Sequence, residues 1–240
     1  ARTRSHQGHP AAGRSTKKNY NIKICNYALM VYNKSIIAKE VNSMNYREQL
    51  EKLIIEKKGL IITKEVEEAG IPRHYLTIFT RENKLERVTQ GVYLTLEAFE
   101  DEMYTLQVKS KRIVFSHETA LYLHELTDRD PLEWSVTIPA GYNGSNLREA
   151  GIKVYTVKKE LHLIGVTELK TLYGRPIKVY DKERTICDIV RNRNNMDVAI
   201  LNEGIKRYLY NKDKNIPLLL RYSKKLGVQN TIRSYMEILL

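Results

Sequence analysis

The sequence predicts an α+β protein, and three observations carry that prediction. Residues 46–57 place Tyr46, Leu50, Leu53 and Ile54 at helical spacing, with a short apolar run and two alternating segments following before Thr95. Between residues 113 and 180 apolar and polar residues alternate in short runs separated by turn formers. After Asp181 the pattern turns helical to the end of the chain, with Val198, Leu201, Ile205 and Leu209 on one stripe. A mixed sheet followed by a helical layer is an α+β plan.

The N-terminal elements follow in order. The first helix ends at Gly59, which takes the left-handed conformation cheaply. Leu60, Ile61 and Ile62 are too few for a helix, and Thr63 is placed to cap a second short helix holding Val66 and Ala69. Gly70 breaks that helix, and Pro72 suits the first position of a third, where its missing N–H is no loss. On the third helix Leu76 and Phe79 face inward, which leaves Arg73, His74, Thr77 and Arg81 outward with Ile78 at the margin. Asn83 tolerates the left-handed residue that stops it. Leu85 to Val88 and Val92 to Leu94 then alternate around a turn at Thr89-Gln90-Gly91.

Helix, short strand, helix, helix and ribbon, in that order, make a winged helix-turn-helix. Such a unit puts its third helix in the major groove of DNA, where Arg forks onto guanine and Thr or Ile touches a thymine methyl. Arg73, His74, Thr77, Ile78 and Arg81 are the candidate base readers, and Lys84, Arg87, Thr89 and Gln90 the candidate phosphate contacts. The same unit also serves as a protein-binding module. Residues 44–95 hold 9 Lys and Arg against 8 Asp and Glu, so any basic footprint there is local.

Gly59-Leu60-Ile61-Ile62-Thr63, Ala69-Gly70-Ile71-Pro72, Leu85-Glu86-Arg87-Val88 and Gly91-Val92-Tyr93 together resemble the N-terminal domain of the AbiEi family. Downstream, Ser116 to His124, Val136-Thr137-Ile138-Pro139 and Tyr180 to Asp188 resemble the larger domain of that family. The resemblance covers residues 44 to 240. It departs at Asn83, where relatives carry Gly, and at Ile78, where an Arg or another polar residue is expected. It implies an antitoxin and autorepressor of a type IV abortive-infection toxin–antitoxin system, acting against viruses and without enzymatic activity or cofactor. Its implied partners are a double-stranded operator with inverted repeats, and a nucleotidyltransferase-like toxin opposed without a stable complex. The competing reading is a winged-helix regulator whose larger domain senses a ligand.

Charge and composition set the bounds. Of the net charge of +12, +7 sits in residues 1–43, where 8 Lys and Arg face Glu40 alone. Residues 1–16 are rich in Ala, Arg, Gly, His and Pro and residues 17–43 in Lys, Asn, Ile and Tyr, which reads as a vector leader joined to upstream read-through, with Met44 as the natural start. The rival reading is a basic arm on DNA, and Ile22, Ile24, Tyr27, Leu29 and Val31 have strand spacing. That gives three segments: a tail over 1–43, the winged helix over 44–95 and the α+β domain over 96–240. Cys25 and Cys187 make no disulfide framework, Cys187 reading as a buried thiol. His117 and His124 fall seven apart on one helix without a third ligand at metal spacing. With no apolar run long enough to span a bilayer, a cytosolic location is expected.

In the second domain, Ile113 to Phe115, Trp134 to Ile138, Ile152 to Val157, Leu161 to Ile164, Thr167 to Tyr173 and Ile177 to Tyr180 read as strands. Ser116 is placed to cap a helix through Glu125, Ala140 to Asn146 reads as a loop, and Gly174-Arg175-Pro176 as a turn. Lys182 to Arg191, Met196 to Tyr210, Ile216 to Leu226 and Thr231 to Leu239 read as helices. Residues 182–240 carry 12 Lys and Arg against 6 Asp and Glu, whereas 96–181 carry 11 against 13. Arg191, Arg193, Lys206, Arg207, Lys212, Lys214, Arg221, Lys224 and Lys225 are therefore candidates for a second phosphate-facing surface, or else a solvated helix face. Glu168-Leu169-Lys170 is half of a nuclease metal site, with Asp130 or Asp181 as the missing acid, but so short a pattern recurs by chance. Arg184 and Asp188 have the spacing of an intrahelical ion pair. Ser-His-Asp, Walker and Gly-rich phosphate-loop patterns are missing from the sequence. Lacking a zipper, the chain is expected to be a monomer that assembles on its operator.

Overall fold

A computed structural model describes residues 45–239; the expectations for the tail, its strand and Cys25 lie outside these residues. Helix α1 spans Tyr46–Glu56, opened by Asn45, whose Oδ1 accepts from the amides of Arg47 at 2.8 Å and Glu48 at 3.1 Å. It buries Leu50 and Ile54 and ends in two left-handed residues, Lys58 and Gly59. At Gly59 more than φ is at stake. A Cβ there would lie 2.5 Å from both Ala98 Cβ and Thr95 Oγ1, while the Thr95 amide donates to the Gly59 carbonyl at 2.9 Å. Gly59→Ala therefore combines backbone strain with overpacking and is expected to cost about 2–4 kcal/mol. A urea titration reads this as a lower midpoint at unchanged slope.

Strand β1 (Leu60–Ile62) leads directly into α2 (Thr63–Glu68). Thr63 is not the cap. Ile62 occupies the cap position, and its own amide donates to the Glu65 carboxylate at 3.1 Å, the backward half of a capping box, while the Ile62 side chain offers no cap to the first amides of the helix. Helix α3 spans His74–Arg81, two residues later than Pro72 suggests, because Pro72 and Arg73 form the preceding turn. Leu76 and Phe79 are buried, and Asn83 takes the left-handed conformation at φ +56°. Strands β2 (Glu86–Thr89) and β3 (Val92–Leu94) are joined through Gln90 and Gly91, Thr89 being still in the strand. The sheet order is β1-β3-β2. The chain divides into two compact units: residues up to Glu86 with Thr95–Ala98 make up the smaller, and Arg87–Leu94 with everything from Phe99 on the larger.

The larger unit is built on α4 (Glu102–Lys109), β4 (Val114–Phe115), α5 (His117–Leu123), β5 (Ser135–Pro139), α6 (Ser145–Glu149), β6 (Lys153–Val157), α7 (Lys159–His162), β7 (Val166–Lys170) and β8 (Pro176–Tyr180). Four helices close it: α8 (Lys182–Arg191), α9 (Val198–Tyr210), α10 (Ile216–Leu226) and α11 (Gln229–Leu239). Its sheet is mixed, in the order β6-β5-β4-β8-β7, parallel at β5–β6 and β4–β8 and antiparallel elsewhere. Phe115, Val136, Ile138, Ile177 and Val179 fill one core with Met103 and Leu147. Leu121 of α5 joins Ile186, Cys187, Ile189 and Val190 of α8 in a second core, capped by residues of α9, α10 and α11. The α+β plan and the helical end hold.

Several local expectations are corrected. Leu161 to Ile164 is not a strand: α7 ends at His162, and the stretch turns so that Leu161 packs on the helical core. The loop at Ala140 to Asn146 yields to α6 from Ser145, and α4 arises where no element is expected, opened by Asp101 accepting from the Tyr104 amide at 3.1 Å. β7 stops at Lys170, short of Tyr173, and α5 at Leu123, short of Glu125. α9 begins at Val198 rather than Met196, with Val198 itself exposed off the apolar stripe, and α11 begins at Gln229 rather than Thr231. Ser116 makes no side-chain cap. Its Oγ instead accepts from Thr137 Oγ1 at 2.8 Å and lies 3.0 Å from His117 Nδ1.

Candidate nucleic-acid interface

Helix α3 is two-faced. Leu76 and Phe79 are 1% and 0% exposed, while Arg73, His74, Thr77 and Arg81 on the other side are exposed and Ile78 is half-buried. This follows from spacing: residues 73, 77 and 81 fall four apart, as do 74 and 78, and the buried pair three apart. The inward side is clamped from above. The Arg47 guanidinium lies 5.5 Å from the Phe79 ring centre and the Lys84 ammonium 5.1 Å, Arg47 pairing with Glu82, and Lys84 with Glu51 at 2.6 Å. Lys84 thus ties α1 to the end of α3 as well as standing exposed near it. Arg73 pairs with Glu67 through Nε at 3.0 Å, but with 71% of its side chain exposed the guanidinium stays accessible. His74 tilts against Tyr75 at 4.5 Å between ring centres, which restrains its imidazole.

In the hairpin, Arg87 and Gln90 are exposed and Thr89 is half-buried. Arg87 Nε donates to the Thr89 carbonyl at 3.4 Å, which holds the guanidinium beside its own turn. Arginine, histidine and threonine on an exposed helix face can donate to and accept from base edges or phosphates.

The second basic surface is less uniform than its composition. Arg207 is held by Asp128 and by Glu203, the latter at 2.7 Å. Arg193 donates to the Val190 carbonyl at 3.1 Å and Lys214 reaches the Asn211 carbonyl at 3.5 Å. Arg191, Lys206 and Lys212 are exposed, as are Arg221, Lys224 and Lys225, which share one face of α10.

Among the described residues no group of three or more His, Cys, Asp or Glu side chains comes together to hold a metal. Glu168 and Lys170 stand on the exposed side of β7, at the sheet edge. Asp181 caps α8 by accepting from the Arg184 amide at 2.7 Å, and Asp130 is exposed elsewhere. His124 donates from Nε2 to the Tyr180 carbonyl at 2.6 Å, while His117, left-handed at the start of α5, stacks on the Tyr155 ring at 3.5 Å between centres. Nor is any described helix long and apolar enough to cross a membrane.

One polar cluster is larger than its sequence spacing suggests. The Arg184–Asp188 pair exists, with Nε 3.0 Å from both carboxylate oxygens, and Arg184 is fully buried. Its Nη1 donates to the carbonyls of Leu161 at 2.7 Å and Ile164 at 3.0 Å, and its guanidinium lies 4.3 Å from the Tyr180 ring centre. Burial pushes the Asp188 carboxyl up to about 6 against the pull of Arg184. Next to Arg184 on the chain, Glu183 accepts from Tyr208 Oη and from the Asn215 amide, both at 3.0 Å, which anchors the start of α10. Only the i, i+4 spacing announced this cluster; its burial is a tertiary fact.

Comparison with known proteins adds the following. No curated protein matches the sequence. The crystal structure of the RV2827C protein from Mycobacterium tuberculosis superposes with a TM-score of 0.47 at 12% identity, over 78% of each chain. Residues 48–95, from within α1 to just past β3, match the family described as "Transcriptional regulator, AbiEi antitoxin".

Proposed function

We propose that residues 44–95 form a winged helix-turn-helix that binds an inverted-repeat operator upstream of its own operon, and that residues 96–240 counteract a nucleotidyltransferase-like toxin without forming a stable complex with it. Arg73, His74, Thr77, Ile78 and Arg81 face the major groove, and Lys84, Arg87, Thr89 and Gln90 contact the backbone. The observation that carries this reading is the exposed polar face of α3 opposite buried Leu76 and Phe79, within the segment that matches antitoxin regulators. Two copies meet on the palindrome, one per half-site.

A gel-shift series with the DNA upstream of the gene tests the first half. Retardation that competitor DNA of unrelated sequence abolishes would refute operator recognition. For the second half, co-expression of the DNA-blind Arg73→Ala/Arg81→Ala chain with the neighbouring toxin is decisive: protected cells separate antitoxin work from repression, and dead cells refute it.

The α10 surface is expected to stay off DNA, because Lys224 and Lys225 belong to the helical layer rather than to the matched segment. Lys224→Glu/Lys225→Glu should leave operator affinity and its salt slope unchanged. A slope shallower by about 1 to 2 would place these lysines on phosphate.

A further inference from the structure

A cavity of about 190 Å3 opens in the larger unit between β5, β6, α5 and α8. His117, Thr137, Tyr155, Arg184, Asp188 and Arg191 line it. We infer that this cavity binds a small oxyanion of the phosphate class, held by Arg191 at the mouth and by Arg184 Nη2 in the wall.

Four observations converge. Arg184 is 0% exposed, and its Nη2 is a buried nitrogen without a hydrogen-bond partner among the described residues. A buried guanidinium donor left idle costs about 1–3 kcal/mol, which a bound acceptor would recover. Arg191 is exposed at the end of α8 and forms no ion pair among the described residues, while both Asp188 oxygens are taken by Arg184 Nε. The lining thus carries a net positive charge. His117 sits at φ +50°, a strained backbone for a non-glycine residue of the kind that collects at ligand sites. Its ring stacks on Tyr155 at 3.5 Å between centres, and Asn192 donates to Tyr155 Oη at 3.2 Å, so the opposite wall is fixed.

The imidazole fits this role. Because Thr137 donates to Ser116 Oγ, the Ser116 hydroxyl proton can point to His117 Nδ1, which leaves the ring proton on Nε2. Burial, with Lys153, Arg184 and Arg191 nearby, pushes this histidine down to about 3, so it is a neutral donor at physiological pH. Arg184 and Thr137 are buried, so only a group that enters the cavity can reach them; a polymer backbone passing over the surface would not. A doubly charged phosphate suits two guanidinium groups better than a monoanion does. The inference is independent of DNA binding.

Titration of the full chain with inorganic phosphate, at ionic strength held constant with chloride, tests it. Calorimetry should show saturable binding, and the His117 imidazole resonances should move with it. Arg191→Ala is expected to weaken binding at least tenfold, Arg191→Lys to restore part of it, and Arg73→Ala/Arg81→Ala to leave it unchanged. Phosphate indistinguishable from chloride, acetate binding as tightly as phosphate, still His117 resonances or an Arg191→Ala chain that binds like the parent would each overturn the assignment.

Discussion

If α3 reads an operator as proposed, Arg73→Ala combined with Arg81→Ala is expected to lower affinity for it by roughly a hundredfold or more, since each bidentate base contact discriminates by about 1–3 kcal/mol. Affinity for unrelated DNA should fall far less, because phosphate contacts elsewhere remain. Stability should barely change: both side chains are exposed, and the buried pair Leu76 and Phe79 is untouched. A useful opposite comes from Glu67, which pairs with Arg73 at 3.0 Å. Removing that carboxylate as Glu67→Ala releases the guanidinium and takes a negative charge away from DNA, so affinity should rise. A drop would mean that Arg73 needs Glu67 to orient it, and quantitative gel shifts at fixed salt tell the two apart.

Arg184→Met is expected to be the most destabilising single change in the larger unit, at about 3–5 kcal/mol, because it strands the buried Asp188 carboxylate without a counter-charge. The carbonyls of Leu161 and Ile164 lose their donor at the same time. Gly165 leaves no slack for repair: a Cβ there would come within 2.6 Å of Arg184 Cβ, so the backbone is already pressed against this side chain. Arg184→Met/Asp188→Leu should recover much of the loss, since an apolar pair of similar volume is often as stable as a buried ion pair. The pH dependence has a definite sign. The Asp188 carboxyl sits at about 6 in the fold against 3.8 ordinarily, so the folded chain holds a proton that the unfolded chain releases. Its contribution to stability therefore declines as pH rises from about 4 to about 6. Without Arg184 the folded value climbs further and the decline extends past neutrality. Denaturant melts of the parent chain and of Arg184→Met between about pH 4 and 8 measure it, with Arg184→Met/Asp188→Leu expected to lack this dependence.

The legible parts of the fold are those written in local signals. Asn83 and Gly91 mark the ends of α3 and the hairpin turn, and the helices after Asp181 announce themselves by apolar stripes. Boundaries slip where backbone alternatives compete. Pro72 begins a turn rather than a helix, and the apolar stretch Leu161 to Ile164 lies in a helix end and turn from which Leu161 packs on the helical core while Leu163 is exposed. Sheet order is out of reach, because β4 and β8 are neighbours although β5, β6 and β7 and the helices between them intervene in the chain. The outward face of α3 follows from periodicity alone. The cluster around His117 and Arg184 does not, since charged residues are normally at the surface and nothing local says that this arginine goes under.

Among the described residues strand β7 ends the larger sheet, and its exposed side presents Glu168 and Lys170 rather than apolar residues. An edge with unpaired amides and carbonyls is a template for recruiting strands from other chains, the first step toward aggregation. Charged side chains two apart on that strand disfavour the addition of an incoming strand, which would have to cover both.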